Sequence, residues 1–593
     1  MLEPDSRSLL SDLLRPPPGF TLSHAVGTTF TLTLEAALAV PLSLAGSTAT
    51  DDDAVGIISA VRRAVDRIDV FAQAGYVRLG AASDLVAVLE PMIHPVVMPH
   101  GLFHPKVWFL EFESGDERRY RFICSSRNLT TDRTWDAVVA LDGAPASAPG
   151  DATESANAGM VRLLRWLADD RRSSPRLSAE RRARIDELAE SWRRIEWERP
   201  DHVRRMKVHA FGIPGAVRPS HDAIRSLIVS PFVTDDGLAD LRARRGHKTI
   251  LVSRPEQLDR LDPAAFENLS MRILDDYVDQ ALADAETQQS ASSLSGLHAK
   301  VMVHDRSGGG STLLIGSANA TRPAWNTNIE VMIELDGPTK KLGVEVIADS
   351  LAPLLESYVT DGGATTTEHE EAEQQLDGIL RRAAATPLTL EIHPDDPYSL
   401  SFWADALPEV PLDVELSWRL LTHSDDVAGG IPRATAPHRW GPVSLDQITP
   451  FIVITATDST GRRAQCIVIA EIRNDIPGRG DAIVAAHLSE PGAFARFIRL
   501  MLQTAGPASA GVDAAAAAFG SGFGAGVAED GSGLLELLVR ASATSRDALG
   551  DIGRVLTHLS PEERERALPA GFGEIWASVM GAVEGSAEVS SAR

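Results

Sequence analysis

Two histidines in this chain are each followed, two residues on, by a lysine: His104-Pro105-Lys106 and His298-Ala299-Lys300. In an extended strand, residues two apart point to the same face, so each pair delivers an imidazole and an ammonium group together. Each pair is trailed by a Ser-x-Asn turn, Ser126-Arg127-Asn128 in the first copy and Ser317-Ala318-Asn319 in the second. Lysine brings positive charge, asparagine and serine bring neutral donors, and two imidazoles can divide the tasks of nucleophile and acid. This inventory suits a tetrahedral phosphate rather than a metal ion, and the chemistry it implies is phosphoryl transfer. A lone His-x-Lys is common and means little. Here it is duplicated in the same order, each copy ending in Leu-Asp-Gly, and two half-sites in one chain imply one composite active site.

The surrounding pattern shows what must hold these residues. Val107, Phe109, Val301 and Val303 alternate out of the polar register and read as core, while Arg121–Cys124 and Leu313–Ile315 read as partner strands. Ser114-Gly115-Asp116 and Gly308-Gly309-Gly310 mark the intervening turns, so each copy is expected to be a hairpin with a polar tip. Upstream, strand patterns at Thr28–Leu34 and Ile68–Gln73 precede the first motif. Others at 227–232, 248–252 and 271–274 precede the second. Two α/β repeats of one kind are predicted.

With these residues in view, the chain resembles the phospholipase D superfamily, whose signature is HxK(x)4D followed by a Ser-x-Asn turn. The second copy carries His298, Lys300, Asp305, Gly316, Ser317 and Asn319; the first departs from the pattern, with Glu111 in place of Asp and Ser125 in place of Gly. The resemblance covers roughly residues 20–360. It implies two mixed sheets flanked by helices, packed as a pseudo-dimer, and a covalent mechanism that uses no metal and no cofactor. It further implies His104 as nucleophile and His298 as acid, with Lys106, Lys300, Asn128 and Asn319 on the phosphate. Glu330 and Asp136 fall where the family places a carboxylate that orients the histidines. Glu111 and Asp305 are implied to be supporting, and Ser126, Arg127 and Ser317 are expected to contact substrate. Because the acid must be protonated and the nucleophile neutral, a bell-shaped rate around neutrality is expected.

The same kind of site serves lipases, lipid synthases and nucleases, so the substrate needs separate evidence. The net charge of −25 is unevenly spread. Residues 1–350 hold 40 Lys and Arg against 48 Asp and Glu, a net of −8, which leaves −17 for the remainder. Between Arg162 and Lys207 arginines are dense and interleaved with Trp166, Trp192 and Trp197. Such a stretch could track a phosphate backbone, or form a solvated helical pair whose charges Glu180, Glu187 and Glu190 balance. The two cysteines, Cys124 and Cys466, lie in apolar runs and suggest a reducing compartment. The acidic start, MLEPDSRSLL, lacks a signal pattern, and no stretch suits a bilayer span, so a cytoplasmic protein without stable membrane association is expected.

The expected organisation is a tail over 1–20, a first repeat over 21–150, an arginine-rich helical insertion over 151–207 and a second repeat over 208–360. A linker or helix over 361–384, a β-sandwich-like domain over 385–490 and a helical region over 491–593 with an Ala/Gly-rich hinge complete it. The extra domains resemble modules appended to bacterial nucleases of the superfamily. The functional expectation is a metal-independent phosphodiesterase on DNA or RNA, in a setting of defence against foreign DNA, with the acidic C-terminal half open to a protein partner. A phospholipase or phosphatidyltransferase and a non-catalytic phosphate-binding scaffold are the alternatives.

Overall fold

The computed structural model describes residues 10–45, 64–79, 89–275, 296–476 and 571–591, apart from gaps of one to four residues, together with Arg479 and Leu538. Two mixed sheets dominate. The first has seven strands in the order Ile195–Trp197, Val138–Pro145, Glu117–Ser125, Val107–Ser114, Thr21–Thr29, Ile68–Gln73, Ile93–Val96. The second has eight: Arg205–Phe211, Glu330–Pro338, Gly310–Gly316, Val301–Asp305, Arg225–Val229, Thr249–Val252, Leu269–Leu274, Leu355–Ser357. Strand for strand the two follow one plan. Thr21–Thr29 and Arg225–Val229 each run antiparallel to a His-x-Lys strand on one side and parallel to the next strand on the other. The hairpins Val107–Ser114 with Glu117–Ser125 and Val301–Asp305 with Gly310–Gly316 are antiparallel. The fold is therefore the duplicated α/β repeat that the motif spacing predicts.

One core joins the repeats. Val107, Phe109 and Cys124 from the first sheet pack in the same cluster as Val301, Val303 and Ile315 from the second. The alternation in the sequence aims these side chains inward, and each apolar side chain fully buried is worth roughly 1.5–3 kcal/mol. Cys124 and Cys466 are buried free thiols, pushed up to about 12 by burial.

The first strand lies further toward the N-terminus than its threonines suggest. It spans Thr21–Thr29, and the expected strand continuation through Leu34 is instead a turn, the two-residue strand Leu32–Thr33, and the helix Leu34–Ala45. The turn is fixed locally by the Thr29 hydroxyl donating to the Thr31 carbonyl at 2.7 Å, a side-chain-to-backbone bond that competes with strand continuation.

The arginine-rich stretch forms the helices Asp151–Leu167 and Ala179–Trp192. Trp166, Trp192 and Trp197 are buried in the joint core, so they are not stacking platforms. Many of the arginines are paired within the insertion: Arg165 with Glu190, Arg193 with Glu154 and Glu190, Arg171 and Arg172 with Asp169, Arg182 with Asp170. Of the three glutamates expected to balance these charges, Glu190 does so, and Glu154, Asp169 and Asp170 supply the other partners.

After the repeats, the helix Glu368–Ala384 begins in a capping box made by Thr367 and Glu370. Two four-stranded sheets follow, with Leu390, Phe402, Trp418, Ile452 and Cys466 between them as a sandwich core. The strand Phe451–Asp458 alternates: Ile452 and Ile454 enter that core, while Phe451 and Val453 join Leu22, Val70 and Leu110 of the first repeat. At the C-terminus the helix Phe572–Ser591 is described; most of 491–570, including the expected Ala/Gly hinge, lies outside the described residues.

Candidate active site

Each His-x-Lys segment is held by the other repeat. Phe103 bridges Ile329 in parallel, with the His104 N–H donating to the Ile329 carbonyl at 3.0 Å. In mirror fashion Gly296–Leu297 pairs with Thr134–Trp135, and the His298 N–H donates to the Trp135 carbonyl at 3.0 Å. The residue after Ile329 is Glu330, and the residue after Trp135 is Asp136. This exchange of short strands places each histidine beside the carboxylate of the opposite repeat. His104 Nδ1 lies 2.8 Å from Glu330 Oε2, and His298 Nδ1 lies 2.9 Å from Asp136 Oδ1. A carboxylate on Nδ1 fixes the tautomer and leaves Nε2 for chemistry.

Behind each carboxylate stands the serine of the turn. Ser126 Oγ donates to Asp136 Oδ1 at 3.0 Å and accepts from the Ala137 N–H at 2.9 Å. Ser317 Oγ donates to Glu330 and accepts from the Val331 N–H at 3.0 Å. Both serines are fully buried. Expected to contact substrate, the two serines instead spend their hydroxyls on the carboxylates that orient the histidines. Arg127 is also turned this way. Its guanidinium donates to the Asp132 carbonyl and lies 3.9 Å from Asp136 Oδ2.

Lys106 Nζ donates to the His104 carbonyl at 3.0 Å, and Lys300 Nζ to the His298 carbonyl at 2.7 Å. Both lysines are buried, at 2% and 0% exposure. Asn128 Oδ1 accepts from the Thr31 N–H at 3.3 Å, and Asn319 Oδ1 is buried with no hydrogen-bond partner. The two Asn turns are pinned alike: the Leu129 N–H donates to Thr29 Oγ1, and the Ala320 N–H to Ser230 Oγ, each at 2.9 Å. Asp305 lies away from this centre, accepting from Ser311 Oγ at 2.7 Å and the Val344 N–H at 3.1 Å; Glu111 sits 3.5 Å from Arg118. Both hold strands in place.

Burial dominates the electrostatics. It pulls His104 down to about 4, with Glu330 opposing and Lys106 assisting. Burial and then Lys300 pull His298 down to about 4 against Asp136. Burial also takes Lys300 down to about 7, and burial with the charge of Lys300 holds Lys106 well below its ordinary value. For Asp136 burial acts upward, but the hydrogen bond and charge of His298, with Arg127 and Thr134, hold the carboxyl well below the usual range. The reciprocal contacts of His104 with Glu330 and of His298 with Asp136 bring the two half-sites together.

Several contributors escaped the sequence reading. Asn328 accepts from the Leu102 N–H at 3.0 Å and donates to Glu330 Oε1 at 3.4 Å. Buried Arg254 donates through Nε and a terminal nitrogen to the Leu297 carbonyl, at 3.0 and 2.9 Å, beside the Phe232 ring. The Phe30 ring stands 5.1 Å from that of His104, edge on. The sequence Ser230-Pro231-Phe232 resembles a family turn near the pocket, and aligning Gly27–Thr31 on Ile228–Phe232 by their shared hydroxyl position points from it to Thr29 and Phe30; nothing in the sequence marks Arg254.

Residues 237–350 match the family model described as cardiolipin synthase, PLD-like domain. That match covers the second repeat, with its His298-Ala299-Lys300 motif, and identifies a phospholipase D-like domain there. The chain is similar to phosphatidylserine synthase of Haemophilus influenzae Rd KW20, at 12% identity and a TM-score of 0.31 over 59% of this chain and 84% of that one. It is also similar to yeast tyrosyl-DNA phosphodiesterase, at 11% identity and a TM-score of 0.32 over 54% of this chain and 85% of that one. No curated protein matches the sequence. Among the described residues, no helix is long and apolar enough to cross a membrane.

Proposed function

We propose that this protein is a metal-independent phosphodiesterase that hydrolyses nucleic acid through a phosphohistidine on His104. The observation that carries the reading is the reciprocal pairing of His104 with Glu330 and His298 with Asp136, with Lys106 and Lys300 beside them. In the first step His104 Nε2 attacks phosphorus, the bond to the leaving oxygen breaks, and His298 gives that oxygen its Nε2 proton. Water then attacks phosphorus as His298 takes a proton from it, and the P–N bond breaks to free His104. The lysines and the amide donors of Asn128 and Asn319 stabilise charge on the non-bridging oxygens. Every oxygen of the two carboxylates is already engaged: those of Glu330 by His104, Ser317 and Asn328, those of Asp136 by His298, Ser126, Thr134 and Arg127. With two lysines alongside, the centre favours a phosphate over a cation.

A nucleic acid is favoured by the partly exposed aromatic ring of Phe30 directly beside His104. The second reading, a phospholipid substrate, draws on the lipid-synthase description of the matching family model. Labelled single- and double-stranded DNA and RNA, incubated in excess EDTA with wild type and His298→Ala, separate them. Cleavage that survives EDTA and vanishes in the variant supports the nuclease. Turnover of phospholipid vesicles with no cleavage of nucleic acid replaces it with the lipid reading, and no turnover of either leaves a phosphate-binding scaffold.

A further inference from the structure

The two half-sites share their phosphate-binding parts but differ in the wall beside them. Thr29 and Ser230 occupy equivalent places: each hydroxyl accepts from the N–H that follows the turn asparagine, and each donates at 2.7 Å to the carbonyl two residues on. The next residue is Phe30 in the first repeat and Pro231 in the second. Phe30 is partly exposed, its ring 5.1 Å from His104 and 5.7 Å from Lys106 Nζ. Tyr76 backs it at 4.2 Å between ring centres, and the Arg78 guanidinium lies 5.1 Å from the Tyr76 ring. Arg78 is in turn tied to the C-terminal part of the chain, donating to the Gln465 carbonyl at 2.7 Å and to Asp377 Oδ1 at 2.8 Å. The corresponding flank of the second half-site is cationic, formed by Arg254 against Phe232.

From this asymmetry we infer that Phe30, backed by Tyr76 and Arg78, is a stacking subsite for the nucleobase of the nucleotide whose phosphate is attacked by His104. The inference rests on the nuclease reading. A base is joined to its phosphate through one sugar, so a flat apolar surface one ring away from the nucleophile is where the base arrives. Aromatic side chains bind bases of any identity through their faces, so the subsite demands a base without selecting its sequence. Tethering by Gln465 and Asp377 gives the sandwich and its leading helix a role in the site: they set the position of the wall.

The test compares a single-stranded oligonucleotide with the same strand carrying an abasic spacer beside the cleaved phosphate. Wild type is expected to favour the intact strand in kcat/KM by about tenfold, in line with the contribution of one base–aromatic stack. Phe30→Leu is expected to bring the ratio close to one, and Phe30→Trp to keep it. A direct readout uses 2-aminopurine at that position, bound to His298→Ala: its fluorescence is quenched with Phe30 present and recovers when Phe30→Leu is added. A ratio near one in wild type, a ratio that persists in Phe30→Leu, or quenching indifferent to the substitution overturns the subsite while leaving the nuclease intact. Wild type that cuts neither strand fails the nuclease reading itself, and the subsite with it.

Discussion

At the scale of residues, the chemistry turns on two imidazoles that burial holds neutral. Both lie near a pKa of about 4, so one is the neutral nucleophile while the other carries a proton only when substrate negative charge supports it. Below about 4 the nucleophile is lost to protonation. Above it the acid loses its proton, and from about 7 Lys300 loses its charge as well. The kcat/KM profile is therefore expected to peak on the acid side of neutrality, with the kcat profile displaced upward because bound phosphate raises the imidazolium pKa. This moves the neutral bell expected from the motif alone; a kcat/KM plateau extending through pH 8 would contradict it. Glu330→Gln and Asp136→Asn remove the charge that orients each imidazole, and each is expected to lower kcat by roughly 10²–10⁴ in single-turnover assays, with the fold retained by circular dichroism. The motif made the histidines, lysines and asparagines legible. The inward turn of Ser126 and Ser317 was not, because a hydroxyl's partner is decided by the strand opposite it.

At the scale of elements, short exchanged strands explain why each half-site is incomplete alone. The departures of the first copy from the signature also find local reasons. At Gly316 an added Cβ would lie 2.1 Å from the Val331 carbonyl, so the second copy requires glycine there. Its counterpart Ser125 has room, and its Oγ accepts from the Arg127 N–H at 2.9 Å. Gly316→Ser is thus expected to destabilise the fold by about 1–3 kcal/mol, read as a lower denaturation midpoint, whereas Ser125→Gly should change it by no more than ~1 kcal/mol. Equal effects from the two would remove this account of the asymmetry. Alternation at Val107, Phe109, Val301 and Val303 made the hairpins readable. The first strand was misjudged because the threonines at 29–33 favour a strand by propensity, while the Thr29 hydroxyl turns the chain there.

At the scale of the whole molecule, the sandwich is built into the first repeat. Phe451, Val453, Ile467 and Ile469 share a core with Leu22, Val70 and Leu110. Arg479 pairs with Glu90 through two contacts of 2.8 Å. A chain cut after residue 360 is expected to expose that apolar face and self-associate, seen by light scattering; a soluble, folded monomer would show the repeats to be independent. Arg479→Ala leaves the largely buried carboxylate of Glu90 without its cation and should cost ~3–5 kcal/mol of unfolding free energy. None of this docking was legible in the sequence, since a strand with both faces buried gives only an apolar run that could belong to any core. The insertion was half legible: its helices followed from composition, but which arginines meet which carboxylates depends on how the helices pack. The most direct test of the composite site is to trap its covalent state. His298→Ala would be quenched during reaction with an oligonucleotide ester that carries a nitrophenolate leaving group, and the adduct located by mass spectrometry. A phosphoryl-linked adduct on His104 is the predicted result; an adduct on another residue, or turnover with none on His104, would contradict the account.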